Sequence, residues 1–236
     1  MLLLTLGIVA GAGLVIWAAL RLIAVTPALL TNVKPCRGNW AEGRLRGCAE
    51  GLSVTGIPVE PLNTFSNLAY LAAGWIVASR FGNLPAAVLG ASLTLLCIGS
   101  AMYHGTKALW GARMDHAGMY AVFGSLAIYC IGPSEPALPY VMLGGAIVFA
   151  IGFAMVLPGD LNGRMGILLA LMSIRGFLLG RTLLSALSLG IFAVAFAAWQ
   201  LDKRTTLLSR FGHAIWHVCT AAAIGLMFAA VAVSET

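Results

Sequence analysis

The sequence predicts an all-α membrane protein, a polytopic bundle of transmembrane helices, and three observations lead to this fold class. Of the 236 residues, 60% are hydrophobic and only 9% are charged, so polar side chains cannot cover a compact domain of this size in water. The apolar residues form continuous runs of about 20, the helix length that crosses a bilayer core of roughly 30 Å. These runs lack the alternation of a membrane β-barrel. A soluble enzyme is therefore excluded.

Breaks at charged residues, glycine and proline divide the apolar runs into predicted helices. Their expected bounds are Leu2–Ala24, Thr64–Ser79, Leu84–Tyr103, Asp115–Ile131, Leu138–Leu157, Met165–Leu179, Thr182–Trp199 and Gly212–Val233. The stretch from Met165 to Trp199 is too long for one crossing and contains Gly180 and Arg181, which favours two helices. The first run lacks a basic region in front of it and is too long for a cleaved signal peptide, so we expect a membrane helix.

The distribution of charge indicates topology rather than nucleic-acid binding. The 14 Lys and Arg and 8 Asp and Glu give a net charge of +6, but they are dispersed between the apolar runs instead of forming a block. The long polar segment 26–63 shares its side of the membrane with most of the other basic residues. The positive-inside rule then places this segment in the cytoplasm and both termini outside. Cys36 and Cys48, which lie in the segment, are expected to be reduced there.

Histidine spacing provides the strongest indication of a functional site. His213 and His217 are four residues apart, which places both imidazoles on one helix face about 6 Å apart along the axis. His104 ends another apolar run, with Ser100 one turn before it, and Asp115 follows at the predicted start of the next helix. Ionisable residues at such positions in a membrane are costly and usually functional. Three imidazoles and a water form a recognised open zinc site.

Each of these residues also has a structural interpretation when it is taken alone. Asp115 could cap its helix or interact with the helix dipole, and Ser100 could bond to a carbonyl one turn earlier. A single histidine near a helix end, such as His104, is more often structural than a ligand. We expect His116 in a supporting or interfacial position, and Cys219, about 200° around the helix from His217, to be a poor fourth ligand.

Taken together, the motifs resemble a known family. They are Glu60-Pro-Leu-Asn-Thr-Phe-Ser-Asn-Leu, Ser100-Ala-Met-Tyr-His104, Asp115 and His213-Ala-Ile-Trp-His217. In order and spacing the chain resembles the alkaline ceramidases, which belong with the adiponectin receptors to a superfamily of seven-helix membrane hydrolases. The resemblance extends from about Cys48 to the C-terminus. It implies an extra N-terminal transmembrane helix at residues 1–25, a polar loop at 26–63 and a seven-helix hydrolase core at 64–236.

The resemblance also implies roles for single residues. His104, His213 and His217 would bind zinc, Asp115 would position or deprotonate the attacking water, and Ser100 would stabilise the oxyanion or orient the site. Members of the family also carry a calcium site ahead of the first core helix. Here Glu60 matches that site well and Glu50 only loosely. The alternative for Glu60, with Asn63 and Asn67, is helix entry and contact between neighbouring helices.

The expected function is therefore a zinc-dependent hydrolase of the membrane. It would cleave the N-acyl amide bond of a ceramide or other N-acyl lipid to a fatty acid and a long-chain amine. One alternative is a zinc-containing receptor or scaffold without turnover. Another is a membrane haem protein, but histidines four residues apart on one helix argue against it, because axial haem ligands approach from opposite faces.

Overall fold

Helices make up nearly all of the described part of the chain. The computed structural model describes residues 2–24, 26, 58–131, 161–205, 207–208 and 211–232, so the predicted helix Leu138–Leu157 lies outside these ranges. No strand is formed within them, and the all-α prediction is confirmed. The helices are α1 (Leu2–Ala24), α2 (Pro61–Ser66), α3 (Leu68–Phe81), α4 (Leu84–Thr106), α5 (Leu109–Ile131), α6 (Leu161–Leu178), α7 (Thr182–Arg204) and α8 (Gly212–Ala232).

Several predicted helix bounds are wrong. The predicted helix Thr64–Ser79 is divided into α2 and α3, α4 ends at Thr106 instead of Tyr103, and α6 begins at Leu161 instead of Met165. α2 begins at Pro61 instead of Thr64, since proline fits the first turn of a helix, where its missing N–H has no partner to lose. α5 begins at Leu109, long before Asp115, because α4 ends at Thr106 and the connection is very short. α7 continues past Trp199 to its basic C-terminus, where Lys203 and Arg204 complement the helix dipole.

A tight turn separates α6 from α7, as the sequence predicts. Gly180 has a φ of 73°, in the left-handed region that glycine adopts without strain. The backbone amide of Gly180 donates to the carbonyl of Phe177 at 3.0 Å, and that of Arg181 donates to the carbonyl of Gly176 at 2.9 Å. These bonds satisfy carbonyls at the end of α6. The division of the long apolar stretch into two helices is confirmed.

Four of the described helices, α1, α4, α7 and α8, are long and apolar enough to cross a membrane. In addition, α1 and α7 expose large apolar side chains. Leu14 is 67% exposed, Leu183 is 70% exposed and Val194 is 57% exposed. Presenting such faces to water would be unfavourable. The length and the outward surfaces of these helices therefore agree with a lipid environment.

Helices α4 and α5 pack closely enough to bring their backbones into contact. A Cβ atom at Gly99 would overlap the backbone of Met114, and one at Gly118 would overlap the backbone of Leu96. Only glycine permits this approach. The close packing places the last turns of α4, which carry Ser100 and His104, directly beside the first turns of α5.

Gly118→Ala is expected to destabilise the fold, because the new methyl group has no room against the Leu96 backbone. Overpacking of this kind lowers the free energy of unfolding by about 1–3 kcal/mol. Thermal unfolding in detergent measures the effect. Gly190→Ala in α7 is the matched control, since an added Cβ there meets no atom within 4 Å. It should be neutral or stabilising by up to about 1 kcal/mol, and equal destabilisation by both variants would contradict the close approach.

Candidate metal centre

Three histidines from two helices meet at one end of the bundle. His104 lies in the last turn of α4, and His213 and His217 lie in the first two turns of α8, all with buried side chains. The Nε2 atoms of His104 and His213 are 3.2 Å apart. The ring centroid of His217 lies 5.1 Å from that of His104 and 4.5 Å from that of His213. One donor nitrogen from each of the three lies within 4.8 Å of the others. The fold thus brings together the residues predicted to bind metal.

The separations suit a single zinc ion. Two nitrogens bonded to tetrahedral zinc at about 2.05 Å lie about 3.3 Å apart, and the two Nε2 atoms of His104 and His213 are 3.2 Å apart. A hydrogen bond between these two rings would give the same distance. It would not explain why the imidazole of His217 is buried against both of them. Three imidazoles are a donor set that zinc accepts with one position left open.

The Nδ1 atoms of two of these histidines are held by neighbouring side chains. His104 Nδ1 lies 2.5 Å from Glu60 Oε2, and His217 Nδ1 lies 2.8 Å from Ser66 Oγ. When Nδ1–H of His104 donates to the carboxylate, its Nε2 keeps the lone pair that a metal needs. Histidines that bind metals typically have such a partner on the other ring nitrogen. These hydrogen bonds are a second observation that fits a metal centre.

Glu60 is buried directly before α2, where four contacts hold it. Its backbone amide donates to the carbonyl of His104 at 3.2 Å. Its Oε2 accepts hydrogen bonds from Lys107 Nζ at 2.6 Å and from Asn63 Nδ2 at 3.2 Å, in addition to the His104 contact. Burial raises the pKa of the Glu60 carboxyl, and the Lys107 ammonium opposes this rise. Glu60 therefore links the histidine cluster to a buried cation.

The position of Glu60 directly before Pro61 fits the expected role in helix entry, but its side-chain contacts go beyond that role. Glu60 occupies the residue before α2, but its side chain makes no capping hydrogen bond. The amide of Asn67 donates to the carbonyls of Asn63 and Thr64, close by in sequence, and so does not join neighbouring helices as expected. Glu50 lies outside the described residues, and a calcium ion near Glu60 and Glu50 stays a prediction.

Ser100 and Asp115 face each other across the close contact of α4 and α5. The Ser100 hydroxyl is buried one turn before His104 and lies near enough to the Asp115 carboxylate to interact with it. Asp115 lies well inside α5, which begins at Leu109, so the alternative of a helix cap is wrong. A half-buried carboxylate next to a serine is thus positioned beside the helix turn that carries His104.

Two residues at the centre, Ser66 and Lys107, were not predicted from the sequence as part of the site. Lys107 follows a candidate ligand by three residues and lies between two apolar runs, and a lysine at such a costly position itself indicates function. Ser66 belongs to the motif that begins at Glu60, but its partner is 151 residues away and could not be inferred from spacing. Cys219 lines an apolar groove with residues of α7, which agrees with its exclusion as a ligand.

No protein-family model matches the chain, and no curated protein matches it significantly. The resemblance to the alkaline ceramidases therefore continues to rest on the motifs quoted above.

Proposed function

We propose that this chain is a multi-pass integral membrane hydrolase that depends on zinc and cleaves the N-acyl amide bond of ceramide-like lipids. The observation that carries the proposal is the cluster of three buried imidazoles, with donor nitrogens within 4.8 Å of one another, at the end of apolar helices. The adjacent Ser100 and Asp115 beside the cluster favour an enzyme over a structural metal site, because a site for stability alone does not need an acid–base group.

His104, His213 and His217 would hold the ion. Bound there, zinc would polarise the amide carbonyl and make an attacking water available near neutral pH. Side chains of α4 and α5 would transfer the proton and stabilise the oxyanion. Asp115 would accept the proton of the attacking water and pass it to the leaving nitrogen. Once Asp115 has taken that proton, the single hydroxyl hydrogen of Ser100 would be free to donate to the developing oxyanion.

A groove beside the cluster supports a lipid substrate. It has a volume of about 720 Å³, lies between α3 and α8, and is lined by apolar side chains with one basic residue, Arg80. On α8 its lining begins at Ala221, one turn after His217, and reaches Ala229. This span is about 12 Å along the helix axis. An acyl chain lying in the groove would bring its amide toward the histidines.

The positive-inside rule supports a cytoplasmic location for the centre. Lys107 follows the C-terminus of α4, and Lys203 and Arg204 end α7, whose short connection leads to His213 at the start of α8. These basic residues lie at the same end of the bundle as the histidine cluster. Basic residues next to transmembrane helices are concentrated on the cytoplasmic side.

Metal analysis of the purified protein, combined with lipid product identification, tests the proposal. We expect about one zinc per chain, for three imidazoles sharing one ion, and release of fatty acid from one or more ceramides in a panel that also holds other N-acyl lipids and lipid esters. Zinc binding without cleavage of any lipid would favour the receptor or scaffold. A haem absorbance band without zinc would overturn the metal assignment.

A further inference from the structure

Lys107 is a buried cation in a backbone conformation that lysine rarely adopts. It follows α4 directly and has a φ of 58°, and it is the one non-glycine residue with a positive φ in the described ranges. This conformation is unfavourable for a residue with a Cβ atom. Its side chain is only 1% exposed, and Nζ lies 4.6 Å from the centre of the Tyr103 ring. A strained and buried lysine persists only where its surroundings require it.

The ammonium of Lys107 has one carboxylate partner among the described residues. Nζ lies 2.6 Å from Oε2 of Glu60, whose side chain is fully buried. A buried ion pair is tolerated because each charge compensates the other, and loss of either partner leaves an uncompensated charge. The same Oε2 atom lies 2.5 Å from Nδ1 of His104. One chain of contacts therefore runs from Lys107 through Glu60 to His104, which belongs to the histidine cluster.

We propose that Lys107 is a positioning residue of the metal centre. Its ammonium fixes the Glu60 carboxylate as the acceptor for Nδ1–H of His104. His104 is thereby held with Nε2 toward the ion. Without Lys107, the Glu60 carboxylate would lose its buried counter-charge and would hold Nδ1–H of His104 less firmly. The inference rests on the zinc centre of the proposed function, and it concerns zinc affinity and coordination rather than the substrate.

Lys107→Met removes the charge and keeps most of the length of the side chain. We expect zinc affinity to fall about 10–100-fold, as for the loss of other groups that orient a metal-binding histidine. In cobalt-substituted protein we expect altered visible absorption bands, since His104 would be oriented less firmly toward the ion. Competition with a zinc chelator and absorbance spectroscopy measure the two effects. Lys107→Arg, which keeps the charge, should recover most of the affinity.

Lys203→Met is the matched control. Lys203 also lies over an aromatic ring, 4.8 Å from Trp199, but it is exposed. The control should bind zinc as the wild type does. If Lys107→Met does not fold, Lys107→Gln replaces it, because its amide still donates to Glu60 but carries no charge. Zinc affinity and a cobalt spectrum unchanged from the wild type in the folded variant would overturn the inference.

A double variant tests whether Lys107 acts through Glu60. Because the proposed effect passes through the carboxylate, adding Lys107→Met to Glu60→Gln should cost no further zinc affinity. A second, independent loss would mean that Lys107 acts by another route and would overturn the inference.

A wild-type protein that bound no zinc would overturn the proposed metal centre as well. A wild type that bound zinc but cleaved no lipid would leave the role of Lys107 standing and overturn only the proposed reaction.

Discussion

His217→Ala is expected to remove most of the bound metal and to abolish hydrolysis. His217 lies against both other rings of the cluster, with centroids 5.1 Å from His104 and 4.5 Å from His213. Its Nδ1 is already engaged by Ser66, so Nε2 remains for a metal. Two nitrogens hold zinc far less tightly than three. The loss of affinity should exceed the roughly 10–100-fold that follows the loss of an outer partner.

Metal content per chain and fatty acid released from the preferred lipid measure this variant. Cys219→Ala is the matched control, because Cys219 lies on the same helix two residues after His217 but faces the groove beside α7. The control should keep both metal and activity. A His217→Ala protein that kept its zinc would contradict the ligand assignment. Equal loss of zinc in the Cys219→Ala protein would show that the ligand set is different.

Ser100→Ala and Asp115→Ala are expected to lower turnover much more than metal content. The two side chains interact with each other, and neither belongs to the histidine cluster that would hold the ion. A positioned acid or base contributes about 10²–10⁴-fold to a rate, so the turnover number should fall by that order in the Asp115 variant. The Ser100 variant should lose less if the hydroxyl mainly orients the carboxylate.

Turnover number, KM and zinc content of each variant are the required measurements. Ser92→Ala is the matched control, since Ser92 lies on the same helix two turns before Ser100 and bonds to Ser125 of α5 at 3.0 Å. It removes a hydrogen bond between α4 and α5 away from the histidines. The control should retain turnover. Parallel loss of zinc and activity in the Ser100 and Asp115 variants would make both residues structural supports of the cluster.

Helix type was predictable from the sequence, whereas helix ends were less so. Continuous apolar runs of about 20 residues specify helices because a backbone in lipid must satisfy its own hydrogen bonds. The ends depend on short local features. Pro61 begins α2 before the apolar run starts, and α5 begins at Leu109 although Arg113 and Asp115 interrupt its apolar pattern. Polar residues inside a helix resemble a loop when only hydropathy is considered. This explains why the sequence predicts that α5 starts at Asp115 when it starts at Leu109.

The sequence by itself determined the all-helical class, the division at Gly180 and the residues that could bind a metal. His213 and His217 share a helix face because the helical repeat is a local property of the backbone. Only the tertiary structure decided that His104 meets them, that Ser66 and Glu60 hold the outer ring nitrogens, and that Lys107 is buried against Glu60. Such contacts join residues far apart in sequence. They depend on how closely the helices pack, which spacing along the chain does not specify.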